Sequence, residues 1–184
     1  MGFMDNRPSW DATFMAKALD MAKRANCMKK VEVGAVIVKN KREIASGYNG
    51  APPGFSTCQQ NHECLIIEEM GSSCQRVLHA EQNAILQNSA MCRNATLYIT
   101  HFPCIVCMRQ IIAVGINRIV YLEVYKPDHY KARYELAKEM AEVAKIELSQ
   151  LSRNDAFAII NSRFRDVEKL EGQVDDLEYY EEFR

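Results

Sequence analysis

His79-Ala80-Glu81 and Pro103-Cys104-Ile105-Val106-Cys107 are the segments that decide how this chain folds and what it binds. One imidazole and two thiolates give zinc three protein ligands, which leaves a fourth tetrahedral position open for water. Such a position is typical of catalytic zinc, because the metal lowers the pKa of the water to near neutrality. Glu81 follows His79 closely enough to carry protons at the same site. These residues therefore predict a catalytic zinc held by His79, Cys104 and Cys107, with Glu81 as the catalytic acid and base.

Each of the two segments is predicted to begin a helix. An amphipathic run follows His79 as far as Gln87, and Pro103 precedes a second run that extends to Ile112. Proline is favoured at the start of a helix. Both ligand groups are thus expected at helix N-termini, where the helix dipole stabilises thiolates and carboxylates.

A C-x-x-C pair on its own does not identify a catalytic zinc site. The pair is also typical of a redox site or of a closed zinc site, and Glu81 would then be an ordinary acid in the first turn of a helix. The combination of H-x-E with a later P-C-x-x-C, however, is the pattern of zinc-dependent nucleobase deaminases. Because the chain has all three ligands and the acid at that spacing, we favour the open, catalytic site.

The remaining patterns predict an α/β fold. A helix capped by Ser9 is expected to precede an antiparallel hairpin, and Gly115 is expected to end the helix that Pro103 opens. A helix separates the last two strands, so these should be parallel with a right-handed crossover. The result is a mixed five-stranded sheet with helices on both faces. The strands are predicted at 33–38, 43–47, 96–100, 118–122 and 146–148, and the other two helices at 10–25 and 129–144.

Length and composition limit the organisation of the chain. Its 184 residues, of which 48% are hydrophobic, suit one well-buried domain over residues 1–150. Residues 151–184 are predicted to form a C-terminal helical and acidic extension, with a helix over 156–164. The net charge of -1 argues against nucleic acid as a partner. No signal peptide or membrane span is apparent, so we expect a cytoplasmic protein, in which the number of cysteines points to metal binding rather than to disulfides.

The chain resembles the deoxycytidylate (dCMP) deaminases of the cytidine deaminase superfamily over about residues 9–148. Four segments carry the resemblance, and Gly47–Gly54 is the one that points to the dCMP branch. The resemblance implies a three-layer cytidine-deaminase-like fold and zinc-dependent hydrolysis of dCMP to dUMP for thymidylate supply. The matching segments are 33–36, 47–54, 79–85 and 103–107.

The resemblance also implies nucleotide-binding residues. Asn49 matches a residue that contacts the deoxyribose, and Tyr125 matches a substrate-contacting tyrosine. Family members are activated by dCTP and inhibited by dTTP, usually as homohexamers with Mg²⁺ on the triphosphate. From the residues alone, 48–50 predicts a tight turn and 39–42 is equally well a solvated hairpin tip. The effector-binding candidates are Lys39, Asn40, Arg42, Gly47, Tyr48 and Gly50.

Four further cysteines match places where some relatives hold a structural zinc. These are Cys27, Cys58, Cys64 and Cys74, and His62 is the alternative to Cys64. Four thiolates would close the coordination shell, whereas without a metal these residues would be free thiols in an irregular loop. Cys92 lies apart and is expected to be an ordinary thiol. The chain departs from its relatives at 28–30, where Met-Lys-Lys replaces an arginine that often precedes the first strand.

Three other functions share parts of this pattern with dCMP deamination. A bifunctional enzyme would also accept dCTP as a substrate. That depends on whether the binding site has room for the two phosphates beyond the α-phosphate. A polynucleotide deaminase, acting on tRNA adenosine or single-stranded cytosine, would need a basic groove and stacking aromatic residues. A silent zinc module would need neither Glu81 nor an open coordination position.

Overall fold

The computed structural model describes residues 7–25, 27, 31–67, 69, 74–126, 128, 130–152 and 154. The predicted helix at 156–164, the acidic tail and the departure at 28–30 lie outside these residues, and so does the start of the predicted helix at 129. No helix among the described ranges is long and apolar enough to cross a membrane.

The helices and strands follow the predicted order, with boundaries that differ by up to three residues. A short helix at Cys58–Asn61 and a 3-10 turn at Ser89–Met91 are additions that periodicity did not indicate. In chain order the elements are α1 (Trp10–Ala22), β1 (Gly34–Lys39), β2 (Arg42–Tyr48), α2 (Cys58–Asn61), α3 (Ala80–Asn88), β3 (Thr96–His101), α4 (Ile105–Ala113), β4 (Arg118–Glu123), α5 (Lys131–Val143) and β5 (Glu147–Gln150).

The five strands form one mixed sheet in the order β2-β1-β3-β4-β5. β1 pairs antiparallel with both β2 and β3, while β4 lies parallel to β3 and to β5. Since α4 and α5 connect the three parallel strands, the carboxyl ends of β3 and β4 meet at one edge of the sheet. Ligand sites of α/β folds form outside such an edge.

Alternating side chains of the strands bury both faces of the sheet. Ile37, Leu97 and Ile119 belong to the core beneath α3, α4 and α5, whereas Val36 and Val120 belong to the core beneath α1. Each strand places successive side chains on opposite faces. The predicted three-layer arrangement is confirmed: among the described residues, α1 covers one face and α3, α4 and α5 cover the other.

Two glycines allow helices to approach the hairpin closely. A Cβ atom on Gly34 would lie against the backbone of α1, 2.5 Å from the nitrogen of Ala22. A Cβ atom on Gly47 would contact the carbonyl oxygen of Ala80 and lie 2.6 Å from the nitrogen of Ala84. Side chains do not fit at either place, so the backbone of β1 contacts α1 directly and that of β2 contacts α3.

A polar network fixes α1 across the end of the sheet. The Nη1 and Nη2 atoms of Arg118 on β4 donate to the two carboxylate oxygens of Asp11, both at 2.8 Å. The hydroxyl of Tyr98 donates to the same carboxylate, and the Nε atom of Arg118 donates to Glu147 on β5. Paired, charge-assisted hydrogen bonds of this kind are the strong ones. The network therefore ties one helix to three strands.

We expect Asp11→Asn to lower the free energy of unfolding by about 1–2 kcal/mol near neutral pH, because it removes the charge from these bonds. The hydrogen bond from Arg118 holds the pKa of Asp11 below its usual range, although burial opposes this. The stabilisation is therefore present above about pH 4 and is lost as the pH falls through the lowered pKa. Urea unfolding of both proteins at pH 7 and pH 2.5 measures this. Asp20→Asn, which alters an exposed pair with Lys23, is the control.

Candidate active site

The predicted zinc ligands meet where α3 and α4 begin. His79 is the N-cap residue of α3 and Cys104 is the N-cap residue of α4, with Cys107 one turn further along. The Sγ atom of Cys104 lies 3.6 Å from Nδ1 of His79, and that of Cys107 lies 3.4 Å from the same nitrogen. The backbone N–H of His79 donates to Gln82 at 3.0 Å, which fixes the turn into the helix. The structure thus brings all three side chains together.

The spacing of these three atoms suits a tetrahedral metal. Bonds of about 2.3 Å to sulfur and about 2.0–2.1 Å to nitrogen place the two ligand atoms about 3.6 Å apart. All three ligand atoms lie within 4.8 Å of one another, and Cys107 is fully buried. The donor set of one imidazole and two thiols fits zinc, and the two helix N-termini add positive potential that favours thiolates.

Glu81 lies in the first turn of α3 and is buried, with 4% of its surface exposed. Burial raises the pKa of its carboxyl group above the usual value, although the charge of His79 opposes the shift. A raised pKa makes the protonated form of a buried carboxyl group easier to reach, which is a property that a proton carrier needs.

The two cysteines of the site have opposite properties. A hydrogen bond from Cys107 lowers the pKa of Cys104 to about 4, against the effect of burial, and His79 contributes to the same shift. The pKa of Cys107 is raised because its thiol donates to Cys104 and because it is buried beside Glu81. Ionisation of Cys104 thus opposes ionisation of Cys107. A divalent metal at this point would supply the charge that lets both bind as thiolates.

A cavity of about 220 Å³ opens over these groups, and both predicted substrate-binding residues line it. Asn49 is buried, and its side chain accepts from the backbone N–H of Val33 at 2.7 Å and donates to the carbonyl of Val31 at 3.1 Å. The ring of Tyr125 stacks on that of Tyr130, with centroids 5.8 Å apart. The turn at Asn49 is held beside the site because Gly50 and Leu78 exchange backbone hydrogen bonds.

Sequence reasoning missed part of the cavity wall. Four lining residues come from the end of β3 and from the start of α5, namely His101, Tyr130, Arg133 and Tyr134. The signal that would have found them was the parallel pairing of β3 with β4, because the segments after such strands meet at one edge of the sheet.

Three of the four predicted ligands of the second metal site are also close together. The ligand atoms of Cys58, Cys64 and Cys74 lie within 4.8 Å of one another, and the sulfur atoms of Cys58 and Cys74 are 3.7 Å apart. A tetrahedral zinc with bonds of about 2.3 Å separates two sulfur atoms by about 3.8 Å. Cys27 is outside this group of three but contacts Cys64. His62 is an exposed residue at the end of α2 and is not in the group.

The surroundings of Cys74 favour a thiolate. Burial raises the pKa of Cys74, but hydrogen bonds from the backbone of Arg76 and from the Cys58 side chain outweigh it, so the pKa is lowered. Burial and the neighbouring thiols raise the pKa of Cys58 to about 12. Arg76, which is 9% exposed, donates from Nη1 to the carbonyl and hydroxyl oxygens of Ser56. This bond joins the two ends of the loop that carries the cysteines.

The predicted effector residues lie at two separate places. Lys39, Asn40 and Arg42 are at the tip of the hairpin, whereas Tyr48 and Gly50 are at the far end of β2, about 20 Å away along the strand. Gly47 faces α3, so its lack of a side chain serves helix packing. Within one chain the structure does not bring the two groups together, and the effector site stays a prediction.

Comparison with known proteins agrees with this fold and this ligand set. Residues 8–123 match the sequence model of a family described as "Cytidine and deoxycytidylate deaminase zinc-binding region". These residues are more than half of the chain and include all three ligands and Glu81. The chain belongs to the cytidine and deoxycytidylate deaminase family.

Individual relatives point to the deoxycytidylate branch. The ComE operon protein 2 of Bacillus subtilis is 38% identical over 160 residues, which are 85% of this chain and 79% of the relative. The deoxycytidylate deaminase of Mycobacterium phage D29 is 40% identical over 124 residues, 63% of this chain and 96% of the relative. The match spans only 41% and 40% of the deoxycytidylate deaminases of Schizosaccharomyces pombe and Saccharomyces cerevisiae.

A solved structure gives the same result. The dCMP deaminase of cyanophage S-TIM5, determined in complex with dCMP and dUMP, aligns with a TM-score of 0.63 and 28% identity. The alignment covers 79% of this chain and 98% of the phage enzyme. The resemblance to the deoxycytidylate deaminases that the sequence indicates is thereby confirmed.

We propose that the second cysteine group, with Cys27, also binds zinc, so that the purified protein holds two ions per chain. Cys64→Ser should then reduce the zinc content to one ion, because Cys64 supplies one of the four thiolates. Elemental analysis of the metal measures this. Cys92→Ser and His62→Ala are the controls and should retain two ions. Loss of an ion from His62→Ala together with full retention by Cys64→Ser would instead identify His62 as the ligand.

Proposed function

We propose that this protein catalyses the hydrolytic deamination of dCMP to dUMP and ammonia. The observation that carries the proposal is the buried carboxyl group of Glu81 beside His79, Cys104 and Cys107 at the floor of an open cavity. Support for dCMP as the substrate comes from the phage relative named a deoxycytidylate deaminase and from the cyanophage enzyme solved with dCMP and dUMP.

His79, Cys104 and Cys107 would hold the zinc ion. When bound, zinc lowers the pKa of a water molecule and so provides a nucleophile near neutral pH. The three ligands come from the starts of two packed helices, so their positions are fixed before substrate arrives. Such preorganisation avoids a reorganisation cost during the reaction.

Glu81 carries the protons in this proposal. Its carboxylate takes a proton from the attacking water and delivers it to N3 of the cytosine ring as the oxygen bonds to C4. It then transfers the second proton to the departing amino group, which leaves as ammonia. One water is consumed and the carboxylate is regenerated. Burial keeps bulk water from competing for these protons.

Asn49 and Tyr125 are proposed to bind the nucleotide. Asn49 is held by the backbone on both sides of Glu32, which fixes its amide at the cavity wall. Tyr125 lines the same cavity, and its ring stacks on that of Tyr130 at the α5 side. A small number of polar groups in a largely apolar cavity can orient a ligand such as a sugar ring.

The proposal extends to regulation by dCTP and dTTP with Mg²⁺ in a homohexamer. Its support is the chemistry of the hairpin tip, where Lys39 and Arg42 suit phosphate oxygens. It is tested in the assay for the main reaction, by adding each triphosphate with Mg²⁺ and by measuring the molar mass by light scattering. Turnover of dCTP itself would indicate the bifunctional enzyme.

We expect Glu81→Gln to lose nearly all turnover of dCMP, a fall in kcat of at least about 10³-fold, because glutamine cannot carry the protons. The measurement is ammonia release together with the loss of cytosine absorbance. The variant should keep its zinc and its melting temperature, since the amide matches the carboxylate in shape. The control is Gln87→Glu, at the exposed end of α3. Gln82 is not used for this purpose because its side chain accepts a hydrogen bond from the backbone N–H of His79.

Two results would contradict the assignment. Substantial activity in Glu81→Gln would remove Glu81 from the chemistry. A zinc-loaded wild-type protein that deaminates no mononucleotide, yet binds RNA or single-stranded DNA in a salt-sensitive way, would favour the polynucleotide reaction.

A further inference from the structure

A stack of two tyrosines and two cations forms the α5 side of the cavity. Tyr125 and Tyr130 lie face to face, with an angle of 22° between the rings. The Nζ atom of Lys126 lies 5.5 Å from the centre of the Tyr125 ring, and the guanidinium carbon of Arg133 lies 5.4 Å from that of Tyr130. Each ring thus has a cation within about 6 Å of its centre, the range in which cation–π attraction acts.

Arg133 is the member of the stack that faces the cavity with a permanent charge. Among the described residues that line the cavity, it is the only lysine or arginine. Its side chain is exposed, and within the described part of the chain it makes no ion pair with a carboxylate. A guanidinium at the rim of a cavity therefore has its hydrogen-bond donors available to a ligand.

The position of Arg133 in its helix is also unusual. The first turn of α5 contains Lys131 and Arg133 and no acidic residue. The N-terminus of a helix carries positive potential, so basic residues there disfavour the helix and acidic ones are preferred. Helix stability does not account for these charges. An anion bound at the same place would reverse the effect, because it would be attracted by both the side chain and the helix end.

We infer that Arg133 binds the 5′-phosphate of the substrate and so makes the enzyme select nucleotides over nucleosides. The inference rests on the proposed function, which supplies a dianionic phosphate at the end of the substrate remote from the base. The guanidinium offers two parallel N–H donors to phosphate oxygens. The guanidinium lies over the ring of Tyr130, and Lys126 adds a second positive charge outside the cavity. A nucleoside gains nothing from these groups.

Arg133→Gln tests the inference. It should raise KM for dCMP about 10- to 100-fold with a small change in kcat, because it removes charge-assisted bonds that substrate and transition state share. The ratio of kcat/KM for dCMP to kcat/KM for deoxycytidine should fall by the same factor. Arg133→Lys keeps the charge and loses the planar fork of donors, so its kcat/KM ratio should lie between those of the wild type and Arg133→Gln. Lys131→Gln, an equal loss of charge on the same exposed turn outside the cavity lining, is the matched control.

Binding measured without turnover separates this inference from the proposed function. Titration calorimetry with dUMP and with deoxyuridine should show that Arg133→Gln lowers the affinity for dUMP and leaves that for deoxyuridine unchanged. Two results would overturn the inference and leave the proposed function standing, provided that the wild type turns over dCMP. One is an Arg133→Gln protein with the wild-type ratio of kcat/KM for dCMP to that for deoxycytidine. The other is an equal loss of kcat for both substrates. If wild type neither turns over dCMP nor binds dUMP, the proposed function is overturned and the inference with it.

Discussion

Burial of charge at the starts of two helices is the constraint on which the rest of the structure depends. A buried carboxyl group and two thiols, one buried and one partly buried, are costly to ionise together unless positive charge lies close by. The N-termini of α3 and α4 provide part of that positive charge through their free N–H groups. A cation bound by His79, Cys104 and Cys107 would supply the rest. The sheet, the glycine contacts and the buried proline before Cys104 all serve to keep those two helix ends together.

Much of this arrangement was predictable, because the deciding signals are local. Helical and strand periodicity indicated the order of the elements, and the positions of His79 and Cys104 at helix starts followed from the proline and from the apolar runs. The cavity wall was harder to predict. Arg133 and Tyr130 lie far from His79 in sequence, and only the parallel pairing of β3 with β4 brings α5 beside the site. The separation of Lys39 from Tyr48 followed from the predicted hairpin itself, whose strands place the two residues at opposite ends.

The two groups of cysteines are neighbours in space as well as in chemistry. Cys27 and Cys74 line the same cavity as His79 and Glu81. The described residues of the loop that carries Cys58, Cys64 and Cys74 contain little regular structure beyond α2, and the apolar residues Phe55, Ile66 and Ile67 are exposed. Hydrophobic burial therefore contributes little to its order. The side of the cavity that this loop forms depends on the cysteine group and on the bond from Arg76 to Ser56.

The contacts at Gly34 and Gly47 determine how far the helices lie from the hairpin. Where a helix packs on side chains, its distance from the sheet varies with their size and rotamers. Here main chain touches main chain, so the gap is fixed by atomic radii that no repacking of the interior can alter. The two contacts therefore limit how far α1 and α3, and with it His79, can move when core side chains are exchanged. A more heat-resistant variant should keep both glycines and conserve the total volume of the core, because cavities and overpacking both lower stability.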